Sequence, residues 1–270
     1  MSFDVFSIRS AQAALKPIIV SVPHAGTDVP DEVAQKLRPE ILNQLPDTDW
    51  YVPELYAFCQ SLGIPMIQAR LSRYVVDLNR PMEGPALYTD QRRQTDAMPL
   101  TTFDGVELYE AAQRPDDAER ERRARLYYRP YHAAVQQLLA ETQKKFKNVL
   151  LFDAHSIRRS VPSLARDPFA DMIVGDRDGI SADKKLSETL LRVLRNSPYQ
   201  IAHNQPFKGG QITRAFGHPE AKVHALQLEM SQDVYMNAER TQLDPDKSAQ
   251  VQNVLQKALL ELANVLEAMG

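Results

Sequence analysis

One cysteine in 270 residues, Cys59, leaves no partner for an internal disulfide, so the chain is not held by an oxidative framework and its cysteine usage fits a reducing cytoplasm. Cys59 lies on the apolar side of a predicted helix and is expected to be buried rather than reactive. The N-terminus, Met1-Ser2-Phe3-Asp4, has no basic stretch leading into an apolar one, so no secretory signal is expected. No uninterrupted apolar run approaches the ~20 residues that cross a bilayer, which removes a membrane from the expected partners. Neither sign of charge dominates. With a net charge of −3 and 25% charged residues, nothing global attracts nucleic acid or anionic lipid, and cationic anchors for an acidic ligand must be local. Internal repeats, low-complexity tracts and a Pro/Gly-rich linker are also missing. At 43% hydrophobic content, a chain of this length buries about 70–75% of its unfolded surface, and residues 1–270 are expected to form one α/β domain.

Residues 17–23, 64–69, 72–78, 148–153, 171–175 and 223–229 read as short strands, and helical spacing appears at 31–45, 49–62, 116–129, 131–146, 182–195 and 246–269. The alternation predicts a mostly parallel or mixed sheet flanked by helices. The last helix has Val251, Val254, Leu255, Ala258, Leu262, Val265 and Met269 on one stripe and Asp244-Pro245 as its start signal. Arg120-Glu121-Arg122-Arg123-Ala124-Arg125, with its interleaved acids, is expected to be a solvated face. Residues 81–115 lack periodicity, and so long an irregular loop is expected to cover a site.

Three apolar runs end in side chains suited to metal or proton chemistry. Ile18-Ile19-Val20-Ser21-Val22 leads into Pro23-His24-Ala25-Gly26, Val149-Leu150-Leu151-Phe152 into Asp153-Ala154-His155-Ser156, and Val223-His224-Ala225-Leu226-Gln227-Leu228 into Glu229. Strand ends are where open α/β sheets place ligands, which points to a mononuclear metallohydrolase. A single strand-end histidine is more often structural; two in the same context favour a divalent ion, zinc first, although cobalt, manganese and iron share such ligands. His24 and His155 supply the imidazoles. Of Asp47-Thr48-Asp49-Trp50, Asp47 is assigned to cap the following helix and Asp49 to the metal. Asp153 shares strand parity with His155 and either orients an imidazole or is a satisfied buried acid. Glu229 faces away from His224 on its strand and is the expected general base, the alternative being an edge carboxylate in a salt bridge. Asn79-Arg80 closes a predicted strand, where a guanidinium grips a carboxylate through paired hydrogen bonds and an amide adds direction. Arg73 is a candidate to polarise a scissile carbonyl. Lys208 and Arg214 surround Gly209-Gly210 in either a hairpin turn or a ligand-binding loop.

The segments 22–26, 47–50, 72–81, 153–156, 208–214 and 224–229, in order along residues 17–240, together resemble the N-formylglutamate amidohydrolase family. The resemblance implies a phosphorylase/hydrolase-like, zinc carboxypeptidase-like fold and metal-assisted hydrolysis of N-formyl-L-glutamate to formate and L-glutamate in histidine degradation. It implies Glu229 as base and Asn79 and Arg80 on a substrate carboxylate; with these the expected mechanism places His24, His155 and Asp49 on one divalent ion, and one or both of Lys208 and Arg214 on the glutamate carboxylates beside Asn79 and Arg80. Relatives of this fold begin their ligand set with His-x-x-Glu, whereas positions 24–27 read His-Ala-Gly-Thr, so the acidic ligand must come from elsewhere. Two other readings are a deacylase of another N-acyl acidic amino acid and a non-catalytic protein that binds an acidic amino-acid derivative through its arginines.

Overall fold

The computed structural model describes residues 4–83 and 95–270. β-branched and leucine-rich runs build one sheet from β1 (Phe6–Arg9), β2 (Ile18–Val22), β3 (Met66–Ala69), β4 (Val149–Ile157), β5 (Met172–Gly175), β6 (Ile201–His203) and β7 (Val223–Ser231). Its order is β1-β3-β2-β4-β7-β5-β6. The four central strands run parallel, while β1 joins β3 and β5 joins β7 in antiparallel pairs. The mixed sheet flanked by helices is therefore as expected, with two antiparallel joins.

Among the described residues, eight α-helices follow in chain order: α1 (Asp31–Ala34), α2 (Pro39–Gln44), α3 (Val52–Leu55), α4 (Asp117–Arg123), α5 (Arg129–Gln143), α6 (Lys184–Arg195), α7 (Gln211–Phe216) and α8 (Pro245–Ala268). Alternation along β4 assigns the two faces. Leu150, Phe152 and Ala154 pack with α3, α6 and α8, whereas Val149 and Leu151 pack with Tyr131, Val135 and Leu139 of α5 and Ile212 of α7. The same parity sends Asp153 and His155 to the α5/α7 face. α8 starts where Asp244 accepts the N–H groups of Asp246 and Lys247, and it buries Val251, Leu255, Ala258 and Leu262 of the anticipated stripe.

Several expectations are corrected. Residues 72–78 are a buried run of turns rather than a strand; their apolar content reflects burial from several sides. The helical pattern at 31–45 splits into α1 and α2 at Pro39, and that at 49–62 shrinks to α3 and a 3-10 turn, Ala57–Cys59. Cys59 there is fully buried, and burial raises its thiol pKa, so it is inert as expected. α4 and α5 run together through a π-turn, Ala124–Tyr128, just ahead of Pro130, whose missing N–H is tolerated in the first turn of α5. Arg123 is wholly buried and not solvated: it pairs with Glu119 and donates to the Val75 carbonyl and the Tyr109 hydroxyl.

Candidate metal and hydrolytic site

Pro23 has no N–H to extend the ladder beyond β2, and His24 turns off the sheet with its carbonyl accepting the Asp49 N–H at 3.0 Å. That one bond brings the 47–50 segment to the carboxyl edge. Asp49 Oδ2 accepts the Ser156 N–H at 3.1 Å and lies 3.1 Å from His155 Nδ1 and 3.8 Å from His24 Nδ1. The imidazoles stand 4.9 Å apart between ring centroids. On their far sides, His24 Nε2 is 2.8 Å from Asp77 Oδ1 and His155 Nε2 is 2.9 Å from Asp153 Oδ2.

Those partners decide the tautomers. Asp77 and Asp153 accept on the Nε2 sides, so with a cation among the three residues each Nε2 would keep its proton and each Nδ1 would turn a lone pair toward Asp49. Two imidazole nitrogens and a carboxylate oxygen converge, with possible ligand atoms of His24, Asp49 and His155 all within 4.8 Å of one another. Buried acceptors so placed repel unless a proton or a cation lies between them. In its absence the proton falls on His155: burial opposes the charge, but the Asp153 and Asp49 carboxylates outweigh it and hold the imidazole well above its usual range. His24 moves the other way, lowered by burial and by Arg73 against the pull of Asp77. The donor set, two imidazoles with carboxylate-bound far nitrogens and one carboxylate, fits a divalent transition metal.

Arg73 anchors the next layer. It donates to Asp77 Oδ2 at 2.6 Å and to the Asp47 carbonyl at 3.2 Å, and its guanidinium lies 4.7 Å from the centroid of the Phe103 ring. Asp77, joining His24 to Arg73, is buried, yet the His24 imidazole and the Arg73 and Arg80 guanidinium groups hold its carboxyl well below the usual range. Asp47 is no helix cap. Its Oδ2 accepts the Tyr74 hydroxyl and the Phe103 N–H, both at 2.8 Å, and α3 starts without a side-chain cap, because Asp47 lies too far ahead of that shortened helix. It pins Phe103, part of the 81–115 loop, against the cleft; residues 84–94 of that loop lie outside the described residues.

Glu229 stands beside His155 in the β4–β7 register and Gln227 beside Asp153, so all four side chains share the α5/α7 face; His224, at the opposite end, bonds Asn148 and the Asp183 N–H. Glu229 is 9% exposed, and burial, with Asp49 adding to it, raises its carboxyl pKa to about 8. It pairs with no cation by a salt bridge among the described residues, unlike the alternative considered for it. A carboxyl tuned near neutrality beside a metal-ligand cluster is suited to taking and returning a proton.

The anticipated carboxylate clamp divides. Arg80 lines the cleft, with Nε on Thr95 Oγ1 and one terminal nitrogen on the Asn79 carbonyl. The Asn79 amide is already engaged: Oδ1 accepts the Ile212 N–H at 2.8 Å and Nδ2 donates to Asp153 Oδ2 at 3.2 Å. It therefore ties α7 to the carboxylate behind His155. Gly210 permits this approach, since a Cβ there would fall 2.4 Å from the Asn79 side chain, and Gly209 turns the chain at φ +113°. Gly209-Gly210 thus belongs to the lead into α7, not to a hairpin. Lys208 does not join the cleft: exposed, it pairs with Asp178 at 2.8 Å, and its backbone, not its side chain, faces the sheet edge. Arg214 sits on α7, partly buried, and is not among the residues that line the cleft.

Sequence reasoning passed over Asp77 and Gln227. Asp77 stood inside a supposed strand, although its place two residues before Asn79 was a usable signal. Gln227, whose Oε1 accepts the Gly210 N–H at 2.8 Å, shares Glu229's parity and was legible from that alone.

The family model for N-formylglutamate amidohydrolase matches residues 16–236. N-formylglutamate deformylase of Pseudomonas putida is 38% identical over 246 residues, 91% of each chain, and that of Pseudomonas aeruginosa is 41% identical over 222 residues, 82% of each. The crystal structure of N-formylglutamate amidohydrolase from Ralstonia eutropha JMP134 superposes with a TM-score of 0.83 at 26% identity, covering 98% of this chain and 99% of that one.

Proposed function

The chain belongs to the N-formylglutamate amidohydrolase family, and on that premise we propose that it hydrolyses N-formyl-L-glutamate to formate and L-glutamate with the aid of one divalent ion, zinc first. The convergence of His24, Asp49 and His155 next to the raised carboxyl of Glu229 is the observation that carries the reading. An ion held by those three residues would supply Lewis acidity at the formyl carbonyl and lower the pKa of water.

The remaining steps belong to the chain. Glu229 accepts a proton from the attacking water as its oxygen bonds to the formyl carbon, then returns it to the amide nitrogen as the C–N bond breaks, leaving formate and the amine of glutamate. Arg73, fixed by Asp77 and by the Phe103 ring, puts a permanent positive charge on the cleft wall where the carbonyl oxygen gains charge. Arg80 receives a glutamate carboxylate at the cleft mouth. Asn79, whose Nδ2 lies 2.9 Å from His155 Nε2 and 3.2 Å from Asp153 Oδ2, keeps His155 oriented rather than acting on the substrate itself. We assign the reaction to histidine degradation in the cytoplasm, a location supported by the one buried thiol, and take a small acidic amino-acid derivative as the only partner required.

A substrate panel tests this directly. Metal-loaded protein offered N-formyl, N-acetyl and N-succinyl forms of glutamate and aspartate should release formate from N-formyl-L-glutamate with the highest kcat/KM. Preference for another acyl group or for aspartate derivatives would replace the substrate. Binding of N-formyl-L-glutamate without turnover would instead favour a sensor.

A further inference from the structure

The cleft has two kinds of wall. Its floor is polar, with His24, Asp49, His155 and Glu229, and Arg73 and Arg80 stand along it. Its apolar lining is Phe103, Ile157, Leu164 and Phe207, which belong to one packed cluster that also contains Ile173. Each of the four is 6–8% exposed, so each shows only a small surface to the cleft. Register fixes where that surface begins. Ile157 follows His155 by two residues on the same face of β4, and Ile173 is the β5 partner of Glu229. The apolar wall therefore starts at the reacting centre.

Resting on the deformylase reading, we infer that Phe103, Ile157, Leu164 and Phe207 form the acyl wall of the site and restrict it to a one-carbon acyl group. The cavity measures ≈ 40 Å³, room for about three water molecules at 10–15 Å³ each. So small a space favours the acyl group at the apolar lining, with the glutamate portion toward Arg80 on the same cleft. The glutamate end also suits the wall badly: its methylenes lie between two carboxylates, and setting them on aromatic and aliphatic carbon would desolvate both charges. A formyl hydrogen leaves no polar atom against the wall. An acetyl methyl would have to displace side chains already packed on one another, including Phe103, which is pinned by Asp47 and stacked on Arg73.

The experiment follows glutamate release, common to all acyl donors, from N-formyl-, N-acetyl- and N-propionyl-L-glutamate, alongside formate release from N-formyl-L-norleucine. Wild-type, Leu164→Ala and the milder Phe207→Leu are compared as metal-loaded proteins with matched circular dichroism. A methylene in an apolar pocket changes kcat/KM by roughly 10–200-fold. Both variants should raise the acetyl-to-formyl ratio of kcat/KM at least about tenfold. If both lower every acyl substrate alike, or raise only the norleucine substrate, the wall does not hold the acyl group and the inference is overturned while the deformylase reading stands. If wild-type protein releases glutamate from none of the acyl donors, the deformylase reading fails and the inference with it.

Discussion

Glu229 and His155 are neighbours across two parallel strand ends, and both have raised pKa values for opposite electrostatic reasons: burial disfavours the carboxylate, while two carboxylates favour the imidazolium. The first has a measurable effect on stability. In metal-free protein the folded state holds the Glu229 proton up to about pH 8, whereas the unfolded chain releases it near 4.5. Between those values the folded state binds more protons, so this residue's contribution to stability falls as pH rises, by at most about 1.4 kcal/mol per pH unit. Denaturant titrations of metal-free wild-type and Glu229→Gln at pH 5 and pH 9 should show the substitution gaining stability, relative to wild-type, at the higher pH; a constant difference would mean that the carboxyl titrates normally. Metal-loaded Glu229→Gln should keep its ion yet release formate at least ~100-fold more slowly, since only proton transfer is lost. Loss of the ion would make Glu229 a ligand. The carboxylates behind the imidazoles give a separate test. Asp77→Asn and Asp153→Asn should each weaken metal affinity by about 10–100-fold in competition with a chromophoric chelator, because the far imidazole nitrogen loses its ionised acceptor; unchanged affinity would reduce them to packing.

At the scale of elements, the site is built from strand ends and the short segments that reach them. α8 is scaffold, and its cap is separable from the chemistry: Asp244→Ala removes the acceptor for two N–H groups and should cost about 0.5–2 kcal/mol in urea unfolding without changing kcat/KM. Gly210→Ala should do the reverse, because a methyl 2.4 Å from the Asn79 amide forces α7 from its place and loosens the tie to Asp153; formate release measured beside the melting temperature should fall more than stability does. The contrast follows what the sequence made legible. β2, β4 and β7 were readable because apolar runs lead into His24, His155 and Glu229, and period-two parity then separated Glu229 from His224. Asp49 followed from dividing the acids of the 47–50 segment between a helix cap and a metal. The turns at 72–78 were not readable, since burial from several sides gives the same apolar composition as a strand. β1 and β6, with four and three residues, and α7, with six, are too short to establish a period. Asp47 was misjudged because capping is a local rule, whereas its partners, Tyr74 and Phe103, are 27 and 56 residues away. Asn79 looked like a ligand-binding amide because nothing local announces that Ile212, 133 residues on, already occupies its oxygen.

For the whole molecule, three distant stretches of chain meet in one acceptor-rich cluster, so an ion bound there links β2, the 47–50 segment and β4 and should stabilise the fold as a unit. With free ion at about 100 times Kd the gain is about 2.7 kcal/mol, a rise of roughly 5 °C or more in Tm for a chain of this size. Calorimetry with and without added zinc reads this shift, and His24→Ala and His155→Ala should each abolish it while retaining the helical signal. An equal shift in both variants would place the ion elsewhere. The most direct test of the catalytic claim is a titration of zinc into metal-stripped protein, with formate release from N-formyl-L-glutamate as the readout. Activity should be absent at the start, rise in proportion to added ion and level off at one equivalent per chain; full formate release from stripped protein in the presence of a chelator would contradict it.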